Sequence, residues 1–586
     1  MTQYVEIIEL RQKRCDLRYG VGDCGASGSV KCLQSYPTCD FKSAFNLDGE
    51  LRWYFHRAGD PAPYTADLPT ANEWYGPSIP ILEGVSTEES RINIGAIREG
   101  ESPFGLRGTI SITLADFEFR NQFGDFYASE REIRASIGSL LLAWLGDSAA
   151  QMELYHYWGE KGQTLAQMEQ RRFDLINIEP PSNGRWTIEG MDPLHRALRQ
   201  KAQFPRATDL RLVGEIDEAS TSVTVFGEEE DVSDHFGNTA TSYARIGSEI
   251  IGYTGYSGSA GEWVLSGVTR AALGTVADSH NDDAGVQRVG HFENMRFYRI
   301  VNYILQNHTT IDSALIPFAT TWEAEGGAYL GTLLGTGTFI EPRPVEEVCG
   351  MAMRDGMFSL WWDSLAQEIP IKALRQPVET PTVLNEAQHL VDVKIVRRPD
   401  DRLTRIVTYY DRNDPTESLN DPTNFEVVRV RVDADAEGSF LADGTTRART
   451  TYSPLMRTDA NAVLSQAMQL QRYRETPTYI SFRVSAKDAS LGIGDVVQIE
   501  SARYLDRVGN ALVTTWEIIQ GPKEIERGLV YEYMAQSFVL FDRPAFIMAN
   551  DAPDFGDATD AEKLNACYIS QNDGTMPDGS AAYVIQ

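Results

Sequence analysis

Tyr243-Ala244-Arg245-Ile246-Gly247-Ser248-Glu249-Ile250-Ile251-Gly252-Tyr253 is the stretch on which the fold class turns. It consists of two short runs rich in β-branched and aromatic residues, separated by a Gly-Ser turn, and such runs are strands rather than helices. The same grammar extends on either side. Ser222-Val223-Thr224-Val225 precedes it and Trp263-Val264-Leu265 follows it, with Gly-rich turns at short intervals. From Leu212 to about Val289 the chain therefore reads as a separate small β module, a barrel or a sandwich.

Outside this module strands also dominate. Tyr4 to Leu10 reads as a first strand, and Leu47-Asp48-Gly49-Glu50 as a tight turn before the strand Leu51-Arg52-Trp53-Tyr54-Phe55. Residues 59 to 90, rich in Pro, Gly and Ser, form a long loop or boundary. Thr109-Ile110-Ser111-Ile112-Thr113-Leu114 alternates as a half-buried strand does, and Trp186 to Gly190 is another. Glu130 to Leu145 reads as a helix, and Asp192 to Pro205 as a short helix closed by proline. Helices return at Val301 to Asn307, at Val345 to Met353 behind Pro344, and at Asp459 to Arg474. Strands are expected at Leu390 to Val396, Arg405 to Tyr410, Phe425 to Val432, Ile480 to Ser485, Gly494 to Ile499 and Ala582 to Ile585. The class is α+β, predominantly β.

At 586 residues the chain is long enough for about three to five domains. Its 48 glycines and 26 prolines fit a turn-rich β fold. The formal charge of −31 argues against an ordinary nucleic-acid-binding surface, which needs clustered Lys and Arg. It is compatible with solubility, and with a conduit whose walls repel DNA. Met1 to Leu10 lacks the basic region and apolar core of a signal peptide, and the longest apolar run, Leu140 to Leu145, is too short to span a bilayer.

Chemistry concentrates between Arg14 and Asp40. Cys15, Cys24, Cys32 and Cys39 account for four of the six cysteines, on a segment rich in Gly. Two disulfides, a four-thiolate zinc site or a cubic iron-sulfur cluster are the three uses such a set allows. The absence of C-x-x-C weighs against zinc, and a reducing cytoplasm weighs against disulfides. Elsewhere there is no H-E-x-x-H, G-x-S-x-G or G-x-x-x-x-G-K-[ST] motif. His280, beside Asp278, Asp282 and Asp283, reads as a turn-stabilising hydrogen-bond donor. Asp116 and Asp125 form a chance carboxylate pair in a chain with 84 acidic residues. Cys349 and Cys567 read as buried thiols.

Several stretches, taken in order, resemble the tail hub or tail-tip proteins of long-tailed bacteriophages and of gene transfer agents. They are Tyr19-Gly20-Val21-Gly22-Asp23-Cys24 with Lys31-Cys32 and Thr38-Cys39; Gly190-Met191-Asp192-Pro193-Leu194 with Lys201 to Pro205; Arg245 to Thr254 with Val268 to Thr275 and His280; Trp361-Trp362-Asp363; and Leu491 to Val497. The resemblance implies a multidomain tail hub with small β-barrel or sandwich modules, forming a ring as a homotrimer. It implies contacts with the distal tail protein, the tail tube and the tip or fibre proteins, possible contact with the host envelope, and a lumen through which DNA passes without specific binding. It implies a virion protein, assembled in the host bacterial cytoplasm, with no enzymatic activity. It also implies a structural [4Fe-4S] cluster on Cys15, Cys24, Cys32 and Cys39, with zinc as the alternative. The division that follows is 1–58, an N-terminal segment with the metal loop; 59–211, a first hub domain; 212–290, a small inserted β module; 291–378, a mixed helical domain; 379–550, a second β-rich hub domain; and 551–586, a C-terminal segment. The competing readings are an iron-sulfur or zinc enzyme and a secreted, disulfide-bonded carbohydrate-binding β-protein.

Overall fold

The computed structural model describes residues 4–15, 49–60, 78–115, 152–233, 241–434, 446–505, 511–526 and 530–537, less a few single positions, together with Glu437, Asp557 and Thr559. The expected helix at Glu130 to Leu145, the strand at Ala582 to Ile585, and Asp116, Asp125, Cys24, Cys32, Cys39 and Cys567 lie outside the described residues.

The first sheet holds β1 (Tyr4–Arg14), β2 (Gly49–His56), β3 (Leu82–Glu88), β4 (Thr109–Ala115), β5 (Met152–Glu160), β6 (Glu169–Ser182) and β7 (Arg185–Met191). Their spatial order is β2-β1-β5-β6-β7-β4-β3, antiparallel throughout. The two-residue side-chain period of a strand sorts its residues. Ile8, Leu10, Trp53, Phe55, Ile112, Leu154 and Trp186 meet in one cluster. Val5, Ile7, Tyr54, Tyr155, Tyr157 and Met168 gather in another. Both faces of β1 are thus covered.

After β8 (Gln203–Phe204) comes the eight-stranded sheet: β9 (Leu210–Leu212), β10 (Val223–Phe226), β11 (Ser242–Ile246), β12 (Glu249–Tyr253), β13 (Gly255–Ser259), β14 (Glu262–Ser266), β15 (Gly285–Arg296) and β16 (Leu334–Phe339), with helix α1 (Glu229–Ser233) after β10. The opening stretch of the sequence forms the antiparallel pair β11–β12, with Ile246 opposite Glu249 and Gly247 at φ +61° in the turn. Glycine takes that left-handed conformation without steric cost. β15 crosses position 290. Its first half pairs with β9 and β11, and its second half with β16.

The largest core lies around α2 (Phe297–His308), α3 (Glu323–Tyr329), the short strand β17 (Arg343–Pro344) with its partner β8, and α4 (Val345–Gly356). α2 and α4 pack together through Phe297, Ile300, Val301, Val348, Ala352 and Met353, all buried. The hairpin β18 (Phe358–Leu360) and β19 (Ile371–Ala373) closes this core with Trp361 and Trp362.

Two further sheets follow. β20 (Thr382–Asn385), β21 (Leu390–Arg397), β25 (Thr478–Ser485), β26 (Val496–Leu505), β27 (Ala511–Glu526) and β28 (Val530–Ser537) form a six-stranded sheet ordered β20-β26-β27-β28-β25-β21. β22 (Arg405–Arg412), β23 (Phe425–Val432) and β24 (Ala448–Tyr452) form a three-stranded sheet ordered β23-β22-β24. Helix α5 (Asp459–Tyr473) packs on β22 and β23. The six-stranded sheet joins the first sheet through the hydrogen bond Ile92 N–H to Ile519 O (2.9 Å) and the stacked pair Trp158–Tyr531 (5.3 Å).

The architecture is β-dominated, as the strand grammar predicts. Two local expectations change. Residues 59 to 90, read as a long loop or boundary, contain β3 (Leu82–Glu88), which forms because β4 offers it an antiparallel partner from Leu82↔Leu114 to Glu88↔Thr109. Asp192 to Pro205 is a short 3-10 helix, Pro193–Leu198, followed by β8, with Pro205 after the strand. Asp192 caps the turn by accepting from Leu194 N–H (3.1 Å), and the chain straightens at Arg199.

Candidate functional site

The cysteine segment is the connection between β1 and β2. These neighbours pair from Ile7↔His56 to Arg14↔Gly49, so the ladder holds the two ends of residues 15–48 side by side. Cys15 follows the last ladder residue, is buried and carries a free thiol. The other three expected ligands fall by sequence on the same connection. Among the described residues no group of three or more His, Cys, Asp or Glu is placed to hold a metal ion.

Buried charge fixes β1 in place. Glu9 is fully buried and accepts from Arg11 Nε (2.9 Å), Tyr54 Oη (3.1 Å) and Tyr157 Oη (2.6 Å). The Arg11 guanidinium lies 3.7 Å from the ring centre of Tyr155. On the same strand, Glu6 meets His156 Nε2 (3.0 Å) and Arg57 Nε (2.9 Å). Burial by itself would raise the Glu6 pKa, but His156 and Arg57 outweigh it and bring it to about 2.

The motif residues converge in a comparable way in the eight-stranded sheet. Glu249 is fully buried. It accepts from Arg270 Nε and Nη2 (both 2.7 Å), from His280 Nε2 (2.8 Å), and from the backbone N–H groups of Ala271 (3.0 Å) and Asp278 (3.2 Å). Burial opposes ionisation, yet these donors hold its pKa at about 2. His280 is thus a hydrogen-bond donor as expected, and Glu249 and Arg270 are the partners that sequence reasoning left unassigned. Their signal was their presence in the same quoted motif.

Two more motifs meet across the core. Gly494, at φ +88°, lies beneath Trp361, and a Cβ there would fall 2.7 Å from the indole. Lys372 Nζ donates to the Gly494 carbonyl and lies 3.4 Å from Glu517, which also accepts from Arg472 Nη2 (3.1 Å). Asp192 of the Gly190–Leu194 motif accepts from Gly108 N–H (2.7 Å), tying β7 to the entry of β4. Cys349 is fully buried in α4, and burial pushes its thiol pKa far up, so it is an inert core thiol as the sequence suggests.

Exposed apolar side chains are scattered over the described residues, and on the three-stranded sheet three of them fall in a row along one strand face. Val428, Val430 and Val432 are 51%, 53% and 42% exposed. They stand opposite Tyr409, Val407 and Arg405 of β22, and Tyr409 stacks on Tyr452 of β24 at 5.0 Å. Among the described residues β23 pairs on one side only.

No family model matches the chain, and no curated protein matches it. Solved structures do. The 43 kDa tail protein of prophage MuSo2 from Shewanella oneidensis aligns at 10% identity over 78% of this chain and 97% of that one, with a TM-score of 0.34. Prophage tail protein gp18 from Listeria monocytogenes EGD-e aligns at 9% identity over 79% and 90%, with a TM-score of 0.31. A chain of the virion of a native gene transfer agent particle aligns at 13% identity over 57% and 84%, with a TM-score of 0.28. These solved structures, to which the chain is similar, are two prophage tail proteins and a gene transfer agent virion.

Proposed function

We propose that this chain is a structural hub at the distal end of a phage-type tail, in a virion or a gene transfer agent particle, and not an enzyme. The observation that carries this reading is the valine stripe of β23. An apolar face beside an open strand edge is a liability for a free monomer and suits a chain that is covered in an assembly. The order of the motifs from Cys15 to Val497 supports the same reading. Its partners are then two further copies in a homotrimer, the distal tail protein and tail tube on one side, and tip or fibre proteins on the other. The net charge of −31 fits a ring whose bore repels the DNA backbone.

Cys15, Cys24, Cys32 and Cys39 are proposed to hold a structural [4Fe-4S] cluster, with zinc as the alternative. Bound there, the group cross-links a segment that has no continuous apolar face of its own. Cys15 supports this as a buried free thiol beside the β1–β2 ladder.

The test is anaerobic purification, with mass by light scattering, a visible spectrum, and iron, acid-labile sulfide and zinc assayed on the same sample. A trimer with broad visible absorbance and about four irons and four sulfides per chain is expected. Zinc in place of iron keeps the hub and replaces the cluster. A monomer that turns over a substrate favours the enzyme reading, and disulfides at the four cysteines favour the secreted β-protein.

A further inference from the structure

The strands β9 to β14, with the first half of β15, surround a core of their own and meet the helical core, on whose side β16 and the second half of β15 lie, where the chain passes between them, and the chain passes twice. It enters through β8 and the residues leading to β9, and it leaves along β15, which is shared by both. A buried histidine packs against each crossing. At the entry, His308 at the end of α2 sets Nδ1 3.1 Å from the Gln203 carbonyl, with its ring edge-on to Phe204 at 4.9 Å. At the exit, His291 of β15 sets Nδ1 2.9 Å from Thr338 Oγ1 of β16, with its ring edge-on to Tyr243 of β11 at 5.2 Å. Phe204 lies between the two crossings, stacked on Phe292 at 5.1 Å and edge-on to Phe339 at 5.8 Å.

The charges that act on these rings are cationic. Arg206 and Arg288 face His308, and Arg457 faces His291. Around His308, Arg206 is tied to Glu230 of α1 and to the Asn307 carbonyl (both 2.6 Å), and Arg288 donates to the Glu230 carbonyl (3.0 Å). Around His291, Arg412 donates to the Thr338 carbonyl (3.3 Å), Arg457 is held by Asp411 (2.8 Å), and Glu293 acts on Tyr243. Burial first, and these cations second, bring the His291 pKa down to about 4 and that of His308 to about 3.

We infer that His291 and His308 form an acid-released latch, which clamps both crossings between the β9–β14 strands and the helical core while the rings are neutral and loosens them when the rings take up protons. A proton on either ring adds a positive charge beside an arginine in apolar surroundings. Opening exposes the rings, which then titrate near 6.5. The closed state therefore keeps its full advantage above that pH and loses it as pH falls toward the depressed values. At pH 5 two such rings shift the opening equilibrium by about 500-fold relative to neutral pH.

Hydrogen exchange of the full chain, corrected for the intrinsic pH dependence, tests the latch. Peptides covering 203–211 and 285–296 are followed between pH 7 and 5, with peptides from α4 as the reference. Loss of protection at the crossings, up to about 500-fold, is expected while α4 stays protected. The His291→Gln/His308→Gln double variant should show no such pH dependence. Should that variant fail to fold, each single variant should reduce the proton dependence of opening from two protons to one. Equal protection at pH 7 and 5, an unchanged response in the variants, or simultaneous loss across α4 would overturn the proposal.

Discussion

Glu249 shows how one carboxylate organises a stretch of chain. Its five donors come from Arg270 and Ala271 and from Asp278 and His280, so a single side chain on β12 gathers two other stretches of chain. Glu249→Gln keeps the shape and removes the charge, leaving Arg270 and His280 around a neutral amide. Breaking a buried pair in this way costs about 3–5 kcal/mol. A matching fall in the denaturant midpoint of the eight-stranded sheet is expected. The sign with pH follows from the depressed pKa: wild-type stability from Glu249 is fully present above about 4.5 and is lost as pH falls through about 2. The Gln variant should therefore converge with wild type in strong acid. Gly494 is a second single-residue control point. Gly494→Ala meets both a left-handed backbone and the Trp361 ring, and a loss of about 2 kcal/mol or more in thermal or denaturant unfolding is expected.

At the scale of elements, the three-stranded sheet separates folding from assembly. Its inner face is fastened to α5 by Gln466 Nε2 to Thr408 Oγ1 (2.9 Å) and to the Arg429 carbonyl (3.0 Å), while its outer face carries the valine stripe. Val430→Glu changes an exposed position, so monomer stability should move by no more than about 0.5 kcal/mol. Self-association, measured by light scattering over a concentration series, should weaken strongly. An unchanged mass would remove this stripe from the proposed interface. Elements of this kind were legible in the sequence because each has a strict period. Thr109 to Leu114, Arg405 to Tyr410 and Asp459 to Arg474 all fold as their patterns predict. Asp192 to Pro205 was misread because Pro193 and the Asp192 cap start a helix that has no apolar face long enough to continue it. The Glu249 site was half legible. His280 stood out by its acidic neighbours, but its true partner lies 31 positions away and only the folded sheet brings them together.

At the scale of the whole molecule, the four larger sheets among the described residues, two two-stranded pairs and a helical core are joined by shared strands, bridges and stacked rings. β15 belongs to two of these bodies, and Ile92 with Ile519 stitches two others. The β1–β2 ladder has a different consequence. Eight residue pairs, Ile7↔His56 to Arg14↔Gly49, close that hairpin, and β5 flanks it on the other side. The sheet is therefore a socket, indifferent to the length of what is plugged into it, because lengthening a connection whose ends are already held costs little: each doubling adds about 0.6 kcal/mol. Cysteine segments of other lengths, or a two-residue Asn-Gly turn in place of residues 15–48, should be accepted as inserts by the same frame with the β1–β2 ladder left intact.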